Sequence, residues 1–179
     1  MLTVAPPDAL ELRANATFEA LMWALARPGR NRDMPEAGLA AIAESLVDLE
    51  CTVFADDPAL IGRIAATGAL VTDDLSDADH VFLSSLGGIE ARLATIRCGS
   101  ALYPDDGATL VAGVRHGVGQ TVRLTGPGVD GAVELALGIP ASFWAMRAML
   151  CAYPEGFDML LVDGRSVIGI PRSTQVEVL

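Results

Sequence analysis

The sequence contains no lysine: all 12 of its basic residues are Arg. That removes a Schiff-base lysine for pyridoxal phosphate or an aldol intermediate, a Walker A loop with its phosphate-reaching Lys, and a Ser-Lys nucleophile pair. Anions must be met by Arg, by backbone N–H groups or by hydroxyls. Cysteine is scarce too. Cys51, Cys98 and Cys151 are odd in number, far apart and without a Cys-x-x-Cys pair, which argues against a disulfide framework and against a zinc or iron–sulfur site. They are expected to be reduced, buried thiols. Only two histidines occur, His80 and His116, and neither has a nucleophile close by in sequence, so no catalytic His is supported. Long apolar runs are missing as well, since the longest, residues 132–146, carries Glu134 and Pro140, and residues 1–13 lack a basic start followed by an apolar stretch. No signal peptide or membrane span is expected, and the protein reads as cytoplasmic.

Positive charge is the other shortage, with 23 acidic residues giving a net charge of -11. Such a surface repels polyanions, which argues against nucleic acid and anionic membranes as partners, although a local Arg cluster can still bind a small phosphate compound. What remains is apolar mass: 51% of the 179 residues are hydrophobic and 20% charged, enough for a globular core in a single domain spanning residues 1–179.

Phe18, Leu21, Met22 and Leu25 recur at i, i+3, i+4 and i+7, predicting an amphipathic helix from about Asn15 to the stop at Arg27-Pro28-Gly29. Residues 31–38 read as loop, 39–49 stay open between helix and loop-plus-strand, and 51–55 read as a short buried strand. Asp57 before Pro58 is an N-cap with Pro at the first helical position, Leu60, Ile61 and Ile64 supply the apolar face, and Gly68 closes the helix. Residues 69–72 and 80–84 are candidate strands around an acidic loop holding Asp73, Asp74, Asp77 and Asp79, and 89–96 a candidate helix. Residues 108–114 and 120–124 are strand-like and joined by a short Gly-bearing link, which predicts a hairpin. A helix over 141–151 follows, with Phe143, Met146 and Leu150 on one side. Residues 158–162 and 166–170 flank Asp163-Gly164-Arg165, a hairpin with the Asp-Gly turn signal. Alternation followed by hairpins predicts a three-layer α/β/α domain with a mixed sheet.

Two constellations bear on chemistry. Thr125-Gly126-Pro127-Gly128 follows a strand, and its glycines either admit an anion to backbone N–H groups or make a tight turn. Pro171-Arg172-Ser173-Thr174 ends the last predicted strand with a charged fork and two hydroxyls, suited to phosphate or phosphonate oxygens or to an internal carboxylate pair. Asp158 opens a strand, where it caps a turn or takes part in the site. Asp105 and Asp106 lie in a Pro/Gly turn and read as turn formers. No nucleophile elbow, metal-ligand cluster or dinucleotide fingerprint is present, so no catalytic residue and no metal site is assigned.

Several segments together resemble the PhnH family, the H subunit of the bacterial carbon–phosphorus lyase system for alkylphosphonate use. They are Phe18 to Met22 leading to Arg27-Pro28-Gly29, Gly99 to Val111 with Asp106-Gly107-Ala108-Thr109-Leu110, Val122 to Gly126 and Gly128, and Tyr153-Pro154-Glu155-Gly156-Phe157-Asp158 with Ile170-Pro171-Arg172-Ser173-Thr174. Their order and spacing over most of the chain make the combination specific. The resemblance implies the fold of the large domain of pyridoxal-phosphate-dependent transferases without the cofactor. A chain without Lys cannot form an internal aldimine in any case. It also implies a homodimer within a complex of PhnG-, PhnI- and PhnJ-type subunits. In that family the G, H, I and L subunits are associated with forming ribose 1-phosphonate 5-triphosphate from MgATP and an alkylphosphonate, the nucleosidase-like chemistry being attributed to the I subunit and the iron–sulfur radical chemistry that breaks the C–P bond to the J subunit. Gly126, Gly128, Asp158, Pro171, Arg172 and Thr174 match recurring family positions, and Ser173 stands where a second Thr is familiar, keeping the hydroxyl. The role implied for this subunit is structural, at an interface; the alternative is direct contact with phosphonate or ATP through Arg172, Thr174 and the Gly126 to Gly128 turn.

Overall fold

Asp8 starts the first helix. In the computed structural model, which describes residues 6–179, its carboxylate accepts the backbone N–H groups of Leu10 and Glu11 at 2.8 and 2.9 Å while Glu11 accepts from the Asp8 N–H at 2.8 Å. This capping box begins α1 (Ala9–Ala26) well before Asn15, because satisfying the first orphan N–H groups sets the start ahead of the apolar row. The chain continues through β1 (Arg32–Asp33), α2 (Leu39–Leu46), β2 (Thr52–Ala55), α3 (Pro58–Ala65), β3 (Leu70–Val71), β4 (His80–Leu83) and the single turn α4 (Glu90–Leu93). After a 3-10 turn at Pro104–Asp106 come β5 (Thr109–Gly113), β6 (His116–Thr125), β7 (Val133–Leu137), α5 (Ala141–Leu150), β8 (Asp158–Asp163), β9 (Ser166–Ile170) and β10 (Gln175–Val178).

The expected mixed sheet is present, with seven strands in the order β1-β9-β8-β5-β4-β2-β3. β3, β2, β4, β5 and β8 run parallel, and β9 returns antiparallel to β8 through the predicted tight turn, with Asp163 opposite Ser166. Because side chains alternate along a strand, the sheet presents two apolar faces. Val53, Ala55, Phe82, Val111, Leu160 and Val167 meet α1, α2 and α3 on one side. Phe54, Val81, Leu83, Leu110, Met159 and Ile168 meet Leu93, Phe143 and Trp144 on the other, together with Val122, Leu124 and Leu137 of a second sheet ordered β10-β6-β7. Helices α4 and α5 therefore share the third layer with an antiparallel sheet. Each fully buried Leu or Phe in these layers contributes roughly 1.5–3 kcal/mol of transfer free energy.

Two expectations are corrected. Residues 108–114 and 120–124 do not form a hairpin: β5 lies between β4 and β8 in the large sheet, whereas β6 pairs with β7 and β10 in the small one. The face of α1 also differs. Its buried stripe is Thr17, Ala20, Leu21 and Ala24, leaving Phe18 and Met22 exposed. The cause is Gly169 of β9, where an added Cβ would stand 2.5 Å from the Ala24 carbonyl, so the helix lies directly on the strand and tolerates only small residues at the contact.

Candidate functional site

Asp158 is the first residue of β8 and Arg172 the second residue after β9, so the antiparallel hairpin returns one beside the other. The Asp158 carboxylate accepts the Arg172 backbone N–H at 2.8 Å and grips its guanidinium, with Nη2 at 2.7 Å from Oδ2 and Nε at 3.2 Å. The remaining nitrogen, Nη1, donates to the Pro104 carbonyl in the turn before β5. The two side chains are 14% and 24% exposed. Hydrogen bonding to Asp158 holds the guanidinium pKa above its ordinary value, against the opposing pull of partial burial. All three guanidinium nitrogens are thus engaged, and the pair fastens the start of β8, the end of β9 and the segment around Pro104 to one another.

Thr174 lies two residues further on and is buried, as is Arg147 of α5. Arg147 has no carboxylate partner among the described residues. Its Nη1 and Nη2 donate to the Thr174 and Pro171 carbonyls at 3.2 and 2.8 Å, and burial pushes its pKa below the ordinary value. Trp144, Arg147, Arg172, Ser173 and Thr174 line a hollow of about 400 Å³. Trp144 Nε1, Arg147 Nε and Thr174 Oγ1 are buried there without a hydrogen-bond partner among the described residues. Sequence reasoning passed over Arg147, since an Arg inside an apolar helix reads as a solvated charge.

Gly126 and Gly128 make the turn after β6, and both have positive φ, 122° and 81°. A Cβ on Gly126 would come 3.0 Å from the Ser173 carbonyl, and one on Gly128 would come 2.5 Å from the Ala26 carbonyl at the end of α1. The turn is wedged between two backbones, which is why Gly is required at both positions. Its neighbours Leu25, Ala26, Asp158, Pro171 and Ser173 form a shallow hollow with Pro127 and Gly128, also about 400 Å³. Gly126, Gly128, Asp158, Arg172 and Thr174, scattered over 49 positions of sequence from 126 to 174, are gathered into one region.

On the other side of Gly128 lies a larger open cleft of about 810 Å³, lined by Arg27, Pro28, Arg30, Asn31, Arg32, Gly128, Val129, Asp130 and Val133. The arginines are exposed, and none has a carboxylate oxygen within salt-bridge distance among the described residues. The signal for this cleft was in the sequence, where three of 12 arginines fall within residues 27–32, but Arg27-Pro28-Gly29 reads first as a helix stop.

Other candidates gather nothing. Burial, the leading cause, lowers the pKa of His80 and of His116 below the ordinary value, favouring the neutral form. The three cysteines are free and half-buried, and burial raises the thiol pKa of Cys51 and Cys98, the opposite of an activated nucleophile. Among the described residues no group of three or more His, Cys, Asp or Glu could hold a metal ion, and no helix is long and apolar enough to cross a membrane.

A family model described as "Bacterial phosphonate metabolism protein (PhnH)" matches residues 9–177. The chain is 32% identical to the "Putative C-P lyase subunit protein HtxG" of Stutzerimonas stutzeri over 179 residues, covering 93% of this chain and 87% of that protein. It is 31% identical to the "Alpha-D-ribose 1-methylphosphonate 5-triphosphate synthase subunit PhnH" of Rhizobium meliloti (strain 1021) over 185 residues, covering 92% and 90%.

Proposed function

Because this chain belongs to the PhnH family of bacterial phosphonate metabolism proteins, we propose that it is a subunit of a carbon–phosphorus lyase complex. In this reading it is required for forming alpha-D-ribose 1-alkylphosphonate 5-triphosphate from MgATP and an alkylphosphonate, and it contributes an interface rather than catalytic groups. The observation that carries the interface role is what the Arg172–Asp158 pair holds in place. Leu102, Met149 and Tyr153 are 85%, 79% and 74% exposed, and Tyr103 is also exposed. They sit on two segments joined directly by the Gly156 N–H donating to the Cys98 carbonyl at 2.7 Å, and indirectly by Arg172, which donates to the Pro104 carbonyl beside the first and to Asp158 after the second. Large apolar side chains fixed in water on an anchored backbone fit the centre of a protein interface.

The partners in this reading are a second copy of the chain and PhnG-, PhnI- and PhnJ-type subunits. The large sheet, parallel in its middle with an antiparallel return at β9, is also compatible with a relative of the large domain of pyridoxal-phosphate-dependent transferases that lacks the cofactor. One observation favours direct contact with the substrate instead: the Thr174 hydroxyl and Trp144 indole N–H beside Arg172 have no hydrogen-bond partner among the described residues.

The experiment is co-expression of tagged chain carrying Leu102→Ser and Tyr103→Ser with the other lyase subunits. Co-purification should fall by about tenfold, the worth of roughly 1.4 kcal/mol, while the circular dichroism of the isolated variant is unchanged. Intact assembly would overturn the interface reading, and loss of transfer activity on Thr174→Val with assembly intact would establish substrate contact.

A further inference from the structure

Most arginines of this chain are committed. Arg13, Arg63, Arg97, Arg123 and Arg172 pair with carboxylates, and Arg92, Arg147 and Arg165 donate to backbone carbonyls. Arg27, Arg30 and Arg32 are different: they face one open cleft whose only carboxylate among the described residues is Asp130, so its lining carries three positive charges against one negative, a surplus of two. In a chain of net charge -11 this is a reversal of sign. Concentrating like charges costs free energy in the empty state, and an anion placed among them removes that cost.

We propose that this cleft binds a compact polyanion carrying two or more phosphate-type groups. Packing and strand pairing hold the walls. Gly128 sits against the last turn of α1, and Arg32 is held by backbone pairing of β1 with Val167 and by the Trp23 ring, whose centroid is 5.4 Å from its guanidinium carbon. A guanidinium presents a planar fork that matches phosphate oxygens, and three of them exceed what one orthophosphate uses. Size and net charge decide against extended partners. Beyond a Debye length of about 8 Å at physiological salt the local arginines are screened, so a long polyanion or an anionic bilayer meets the acidic remainder of the surface while a compact ligand does not. Asn31 adds an amide to the lining. Binding requires only the isolated chain and is independent of the lyase complex.

The test is titration of the isolated chain with inorganic tripolyphosphate, followed by calorimetry and by tryptophan emission. Trp144 is buried, so a spectral change would come from Trp23 beside Arg32 and should vanish in Trp23→Phe while the binding heat remains. The double substitution Arg27→Gln, Arg30→Gln should weaken binding by about 100-fold, about tenfold for each guanidinium removed from the phosphate oxygens, with unchanged circular dichroism because both residues are exposed. Arg63→Gln, which removes an exposed Arg paired with Glu44, should leave affinity within about twofold, and orthophosphate should bind at least about tenfold more weakly than tripolyphosphate. Absence of saturable binding at millimolar tripolyphosphate, equal affinity in the double variant, or tighter binding of an oligoglutamate peptide would each overturn the proposal.

Discussion

Arg172 and Arg30 are the same residue type placed on either side of the Gly126 to Gly128 turn, yet their surroundings make them different devices. Arg172 meets a carboxylate at 2.7 Å and a carbonyl on the Pro104 turn, is mostly buried, and joins three segments. Arg30 stands exposed in a cleft with two other guanidiniums and no paired carboxylate among the described residues. The first arrangement spends its charge on the fold, and the second leaves its charge available to something outside. Charge alone therefore says little about function; the partner of each charge decides it.

The contrast breaks most visibly at Arg172. Replacing it by Ala strands Asp158, which is 24% exposed, without its cation and frees the Pro104 segment. Destabilisation of about 3 kcal/mol is expected, at the lower end for a broken buried pair because both groups keep some contact with water. Urea unfolding of Arg172→Ala measures it. Arg172→Lys should recover less than half, since an ammonium cannot make the forked contact and reach Pro104 together. A loss below about 1 kcal/mol would show that the pair is not what fastens these segments.

How far these devices were legible in the sequence depends on whether the deciding contact was local. The Asp57-Pro58 helix start and the Asp163-Gly164 turn specify their own geometry within a few residues, and both appear where expected. The hairpin predicted from residues 108–124 failed because strand-like character does not name a partner. The pattern nonetheless held a clue. Leu110, Val111 and Ala112 are an unbroken apolar run and are buried on both faces, as a central parallel strand requires, whereas Val122 and Leu124 alternate with polar residues, as a one-sided antiparallel strand does. The face of α1 turned on Gly169, 145 positions after Ala24, which no local pattern conveys. Arg172 and Asp158 were both singled out as candidates, yet their pairing with each other became visible only once β8 and β9 were folded together.

Acidification sharpens the contrast by separating the ion pair from the histidines. Burial depresses the folded-state pKa of His80 below its ordinary 6.5, with Asp79 and Asp48 partly opposing. Its contribution to stability is then complete above pH 6.5 and is lost as pH falls toward the folded-state pKa, because the unfolded chain takes up the proton first. One histidine gives a slope of at most about 1.4 kcal/mol per pH unit. Thermal unfolding between pH 7 and pH 5 should show this loss in the parent protein and in Arg172→Ala alike, and a flatter profile in His80→Gln. An unchanged slope in His80→Gln would move the acid sensitivity elsewhere.

The smallest expected effect belongs to Arg30, and its sign carries the information. In the unliganded protein Arg30 shares the cleft lining with two like charges, Arg27 and Arg32, against one carboxylate, Asp130, and is attracted by the acidic excess of the whole chain. Which wins depends on range. At about 0.15 M salt the screening length is near 8 Å, the neighbours in the cleft dominate, and Arg30→Gln should raise stability by up to about 0.5 kcal/mol. At about 0.01 M it grows to near 30 Å, most of the carboxylates come into play, and the same substitution should lower stability by a similar amount. Urea unfolding at the two ionic strengths reads the crossover. A paired arginine such as Arg172 shows no reversal, since its partner at 2.7 Å lies inside both screening lengths; a reversal confined to Arg27, Arg30 and Arg32 would identify the cleft by its electrostatics before any ligand is added.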